Sequence, residues 1–314
     1  MRVYKVSQES VVVKEIEVTA FEHDTDKRAP WYQRADSGLQ SQFAVCPACE
    51  NPIQIIGLYK ELANTDRPYG KHTGKRIHGF PHFDGEALRW CPYAGENRPG
   101  GKTKKGGIDG LPRKILQTVV DHFDRIIHIL RDDTGVRISN NLAQQMLETY
   151  MAEEGYLYVG ATLRNVPWIF AFMSDAQSIF GQRIKDNDDL KKAVGTIPGA
   201  EVSAEGNILR RKDGKFFKIM WSFIDHRIAE EDGELVERVW LHVTDGNHRR
   251  VHRQDIRFHP FRFERLLATP TEAARRDQSL IDIAADVVRP HAARLGINVP
   301  PLKMAGAAAP PPAP

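Results

Sequence analysis

Apolar and polar residues alternate over positions 2–6 and again over 11–19, either side of the turn-prone Ser7-Gln8-Glu9-Ser10. A period of two broken by such a turn predicts a β-hairpin. Residues 21–43 are polar and aperiodic, with Trp31 and Tyr32 as anchors. Positions 53–59 read as a strand. Positions 64–85, rich in Gly, Pro, His and basic residues, read as a long loop that needs a staple or a function. From Lys114 the period changes: Ile115, Leu116, Val119, Val120, Phe123, Ile126, Ile127 and Leu130 recur at helical spacing and predict one long helix, stopped at Asp132-Asp133-Thr134-Gly135. Ser139 is the N-cap of a second helix bearing Leu142, Met146, Leu147, Tyr150 and Met151. Pro167 opens a strongly apolar third helix that breaks at Ser174, and a short fourth spans 188–194.

Beyond residue 206 the period returns to two. Positions 207–211, the turn Lys212-Asp213-Gly214-Lys215 and positions 216–226 predict a hairpin. A second turn at Glu230-Glu231-Asp232-Gly233 leads into a strand over 236–244, and a further strand follows over 251–258. Positions 271–295 read as helical again. An N-terminal strand-and-turn module, a helical block and an antiparallel meander together predict an α+β fold. Glycine and proline crowd positions 95–113. The expected organisation is therefore a module over 1–97, a basic Gly-rich linker over 98–113, an α+β domain over 114–300 and a disordered Pro/Ala tail over 301–314.

Composition narrows the class without naming a function. The 314 residues are 41% hydrophobic and 27% charged, with 44 Lys and Arg against 41 Asp and Glu for a net charge of +3. No apolar run reaches the roughly 18 residues of a membrane span. The N-terminal residues lack the apolar centre of a signal peptide, so a cytoplasmic location is expected. In a reducing compartment cysteines serve as metal ligands more readily than as disulfides.

The chain holds 3 cysteines. Two stand in Cys46-Pro47-Ala48-Cys49 and the third in Cys91-Pro92-Tyr93. A Cys-Pro-x-Cys turn presents two sulfurs from one side of a tight loop, one half of a tetrahedral zinc site. Cys91 repeats the Cys-Pro step and supplies a third ligand. The fourth is a histidine, with His72 preferred because Gly70 permits a turn that presents it; His82 and His78 are the alternatives. The segment 46–91 resembles small zinc-knuckle modules. A closed Cys3His shell leaves no coordination position for a substrate, so the expected Zn2+ is structural.

Two basic stretches follow. The first runs from Arg98 to Lys114 and holds Lys102, Lys104 and Lys105; it lacks the glycine spacing of a phosphate loop. The second runs from His248 to Arg265 and interleaves arginine with phenylalanine. Guanidinium groups grip phosphate and exposed rings stack on unpaired bases. Phosphate contacts are therefore assigned to Lys102, Lys104, Lys105, Arg249, Arg250 and Arg253, and the expected function is a zinc-stabilised nucleic-acid-binding protein. The two helices flanking Gly135 are joined too loosely for a helix-turn-helix and read as a packed pair. No catalytic residue is assigned. One rival reading is a metal-dependent nuclease or hydrolase using Asp213 and Lys215 of the second domain, with Glu201 or Glu205 as partner. Another is an assembly subunit with a purely structural zinc, docking a protein partner through the apolar stretch at 168–172.

Overall fold

The computed structural model describes residues 1–301 except 35–37, 61, 62, 64, 66, 81, 96, 98, 213, 232, 233, 271, 272 and 274. The tail beyond Pro301, together with Arg98, Asp213 and the turn residues Asp232 and Gly233, lies outside the described residues.

The fold is α+β. The N-terminal alternation forms only a two-residue ladder, β1 (Val3–Tyr4) against β2 (Lys14–Glu15). Where the strand was expected to run on, the chain turns into helix α1 (Val18–Thr25), which buries Phe21 against Tyr4 and Tyr32. A four-stranded antiparallel sheet follows in the order β3 (Tyr32–Arg34), β4 (Gln40–Val45), β5 (Pro52–Ile56) and β6 (Tyr69–His72). The expected loop over 64–85 thus contains a strand. Helix α2 (Gly85–Arg89) closes this part.

The expected single long helix is two, α3 (Leu111–Asp121) and α4 (Phe123–Thr134), broken at His122 with φ −132°. Neither Gly nor Pro stands at the break. Both helices pack on the C-terminal helix, and α4 packs in addition on the helix over 260–268 introduced below, so their apolar faces need different directions. Gly135 ends α4 at φ 69°, a left-handed C-cap whose added Cβ would meet the Asp186 carbonyl oxygen at 2.7 Å. After β7 (Val136–Arg137), Ser139 caps α5 (Asn140–Ala152) by accepting the Leu142 N–H at 3.3 Å. Helix α6 (Val166–Met173) is buried along its whole length. Its apolarity belongs to the core and does not serve a docking face.

Short strands β8 (Gln177–Ser178) and β9 (Arg183–Ile184) precede α7 (Asp188–Gly195). The hairpin expected between 207–211 and 216–226 does not form. Instead β10 (Ala200–Val202) pairs antiparallel with β11 (Ile208–Arg210). Gly206 permits that earlier turn: its φ is 91°, and a Cβ there would lie 2.0 Å from the Ile184 carbonyl oxygen. The meander then appears as expected, with β12 (Ile219–Glu231), β13 (Glu234–Asp245) and β14 (Arg250–Arg257), and β8 on the far side of β12. Two helices complete the chain, α8 (Pro260–Ala268), which takes up the end of the second basic stretch, and α9 (Gln278–Leu295). Helix α4 packs on α6, α8 and α9. No helix among the described residues is long and apolar enough to cross a membrane.

The sheet has two unlike faces. Val239, Leu241 and Val243 of β13 lie on the core side with Trp221 and Phe223 of β12, while Arg238, Trp240 and His242 face outward. Between Ile224, opposite Trp240, and Arg227, opposite Arg238, β12 carries one extra residue, and Asp225 there has φ 54°. This bulge reverses the alternation, sending His226 into the core and Arg227 outward.

The break at His122 carries a pH cost. Burial first, and then Arg125 and Arg276, lower its pKa from the ordinary 6.5 to about 4, and its Nδ1 is buried without a partner among the described residues. Between these values the unfolded chain takes up a proton that the folded chain refuses, so stability falls as pH drops from 6.5 to 4. The full difference is up to about 3 kcal/mol. Urea unfolding at both pH values should show His122→Gln losing less stability than wild type by an amount of that order; equal losses would remove His122 as the cause.

Candidate metal centre and basic face

Cys46 and Cys49 sit in the turn joining β4 to β5. The Cys46 N–H donates to the Asn51 carbonyl and the Glu50 N–H to the Cys46 carbonyl, both at 2.9 Å, and Glu50 takes a φ of 60° to close the loop. The antiparallel register of β5 and β6 sets His72 opposite Ile53, which returns its imidazole to this turn. Cys91 arrives just past α2, its N–H donating to the Leu88 carbonyl at 3.0 Å. Asn51 joins these pieces. Its Nδ2 donates to the Asp84 carbonyl at 2.9 Å and its Oδ1 accepts the Asp84 N–H at 2.8 Å. Asp84 in turn caps α2 by accepting the Ala87 N–H at 2.9 Å. One buried amide therefore fixes the Cys46–Cys49 turn to the helix that delivers the third sulfur.

The ligand atoms of Cys46, Cys49, His72 and Cys91 all lie within 4.8 Å of one another. Cys46 Sγ and Cys91 Sγ are 3.8 Å apart, and Cys49 Sγ is 3.3 Å from His72 Nε2. A disulfide needs about 2.05 Å, so these thiols are free. Two thiolates each about 2.3 Å from one tetrahedral ion stand about 3.8 Å apart, which is the spacing seen. The four residues can hold a metal ion. His78 and His82 do not join the cluster; His82 lines a separate cavity with Trp31 and Phe80.

The electrostatics also favour a cation. Burial opposes ionisation of Cys46, but hydrogen bonds from Cys49, Cys91 and His72 outweigh it and hold its pKa well below the ordinary thiol range. Burial, and then hydrogen bonding to Cys46, push Cys49 and Cys91 well above it. The protein alone thus supports one thiolate, and three need a cation among them. Around the cluster, Glu50 is buried between Lys5 at 2.9 Å and Lys114 at 2.5 Å, which ties the cysteine turn to α3.

The six residues assigned to phosphate divide. Lys105 is buried at 5% exposure, with burial lowering its pKa against the pull of Asp84, Glu86, Cys49 and Cys91. It stands in the field of the cluster, where its positive charge would offset the net negative charge of three thiolates around a dication, and it is buried away from solvent. Lys102 pairs with Asp175 at 2.5 Å, Lys104 with Glu154 at 3.7 Å and Arg249 with Asp245 at 3.1 Å. Arg250 and Arg253 have no carboxylate partner among the described residues.

The outer sheet face supplies what was missed. Trp240 lies between two guanidinium groups, Arg227 at 5.2 Å and Arg253 at 5.1 Å from its ring. Arg253 brings the second basic stretch to this face, while Lys102 of the first lines a cleft of about 320 Å3 with Asp175 and Arg227. Burial, and then Arg250 and Arg253, lower the pKa of His242 beside them. The readable signal was a tryptophan on the polar phase of an alternating strand. Comparison with protein-family models, curated proteins and solved structures returns no match.

Elemental analysis of untagged protein should find about one metal ion per chain, and Cys49→Ala should lose it and lower the thermal midpoint by about 10 °C. Asn51→Ala should keep the metal but bind it about 10–100-fold more weakly, and His82→Ala should match wild type. Metal retained in Cys49→Ala would show that the cluster does not hold it.

Proposed function

We propose that this chain is a zinc-stabilised intracellular protein that binds single-stranded nucleic acid on the outer face of β12, β13 and β14. The observation that carries the reading is Trp240 held between Arg227 and Arg253 on a solvent-facing sheet. A ring flanked by cations stacks on an unpaired base while its neighbours meet the phosphates either side. Arg250 extends the positive track beyond this centre, and after burial it is Arg250 and Arg253 that lower the pKa of His242 between them.

Zinc is the proposed ion because three thiolates and one imidazole at tetrahedral spacing suit its borderline softness, and the set is closed to substrate. Its role is to hold the knuckles together. The nuclease reading required Asp213, which lies outside the described residues, and no described feature speaks for it.

Affinity for a short single-stranded oligonucleotide, measured against salt, tests the track. With about three phosphates neutralised, the slope of log K against log salt should be about −2. Arg227→Gln with Arg253→Gln should flatten it by about 1.4, and Trp240→Ala should cost about 1–3 kcal/mol. Affinity unchanged by salt would end the proposal.

A further inference from the structure

Between the knuckles and the core side of the β12–β13 hairpin lies a cavity of about 690 Å3, within the range of roughly 300–1,000 Å3 typical of ligand sites. Two charged side chains on its wall are more than nine-tenths buried: Arg164 is 7% and Glu237 9% exposed. Glu237 shares the core phase of β13 with Val239, Leu241 and Val243, where alternation calls for an apolar residue.

A polar relay holds that carboxylate. Its Oε2 accepts from Asn165 Nδ2 at 2.8 Å and lies 3.1 Å from His226 Nε2. His226 Nδ1 lies 3.0 Å from the Tyr158 hydroxyl. With Nε2–H donating to the carboxylate, Nδ1 accepts the Tyr158 proton, so every donor converges on Oε2. Oε1 has no partner among the described residues. Glu237 lines the cavity, so Oε1 is the carboxylate oxygen that the relay leaves to a donor supplied from outside. Arg164 donates from Nε and Nη2 to Glu264 and from Nη1 to the Tyr93 hydroxyl. That uses three of its five N–H groups and leaves two. The Phe261 ring lies 5.2 Å from the guanidinium and is 43% exposed at the cavity wall.

We propose that this cavity takes one unpaired guanine base. The inference rests on the nucleic-acid reading above and supplies its sequence preference. Guanine places two N–H donors side by side, at N1 and N2, to meet the open edge of the Glu237 carboxylate. Its O6 and N7 are the acceptor pair that a guanidinium grips. Adenine and cytosine set a ring acceptor beside their amino group, and uracil flanks its single N–H with carbonyls. Each would turn a lone pair on Glu237. Phe261 and Tyr93 offer ring faces for stacking.

The test compares binding of a short polyuridine with the same oligomer carrying one central guanosine or one central adenosine, alongside calorimetry with free guanosine monophosphate. The guanosine oligomer should bind about tenfold tighter or more, and the mononucleotide should bind measurably. Glu237→Gln should abolish the preference. Phe261→Ala, at an exposed ring that leaves the relay intact, should reduce it several-fold without changing polyuridine affinity, and so keeps the test alive if Glu237→Gln does not fold. Equal affinity for all three oligomers, still salt-dependent, would overturn the guanine site and leave the outer track standing. Mononucleotide binding with no oligomer binding would uphold the site and sink the nucleic-acid reading.

Discussion

Three buried thiols within a few ångströms of one another cannot all ionise without a cation among them, and the N-terminal third of this chain is built around that constraint. The elements that bring the sulfurs together are short: β6 has 4 residues and α2 has 5. Pieces of that length do not hold themselves in water. The Asn51 amide aligns the Cys46–Cys49 turn with Asp84, and the four ligands then converge. Glu50 carries the restraint outward through Lys5 and Lys114 to α3. Ala48, Pro92 and Tyr93 of the two Cys-Pro turns line the large cavity, so the shape of that site depends on the same cluster.

Local chemistry was legible and long-range pairing was not. The Cys-Pro-x-Cys turn is a matter of adjacent residues, so its ligands could be read directly. His72 shares its loop with His78 and His82, and only the register of β6 on β5 separates them. That strand is hard to see because Gly70 packs where a side chain would collide: a Cβ there would lie 2.7 Å from Ile53 Cδ1. Helix α1 was hidden for a related reason. Its first residues continue the alternation of the preceding strand, and its direction is fixed by Phe21 reaching Tyr4 and Tyr32. Ser139, Pro167 and the heads of the meander strands were readable because each acts through neighbours in the chain.

Charge illustrates the same limit. The sign of each basic stretch is plain in the sequence, but its availability depends on residues far away. Lys102 and Lys104 find Asp175 and Glu154 across the helical block, and Lys105 turns inward. Arg262, near the end of the second stretch, is bound by Asp133 at 2.8 Å and by Asp132. What remains for a partner is the subset that the sheet directs outward. Counting lysines and arginines therefore overstates a binding face, and the alternation of the strand that carries them is the better guide.

Strand β13 unites the two proposed sites. Its odd-numbered positions bury Val239, Leu241 and Val243 and take Glu237 with them to the cavity wall, while its even positions hold Trp240 and His242 outward. On β12 the matching assignment depends on the extra residue near Asp225. Without it, the phase set by Ile219, Trp221 and Phe223 would continue. Arg227 would then turn into the core beside Glu237, and His226 would turn out to solvent. The relay onto Oε2 and the guanidinium against Trp240 would be lost together. A single backbone irregularity thus assigns one residue to each face, and the bulge is as much a part of both sites as any side chain that lines them.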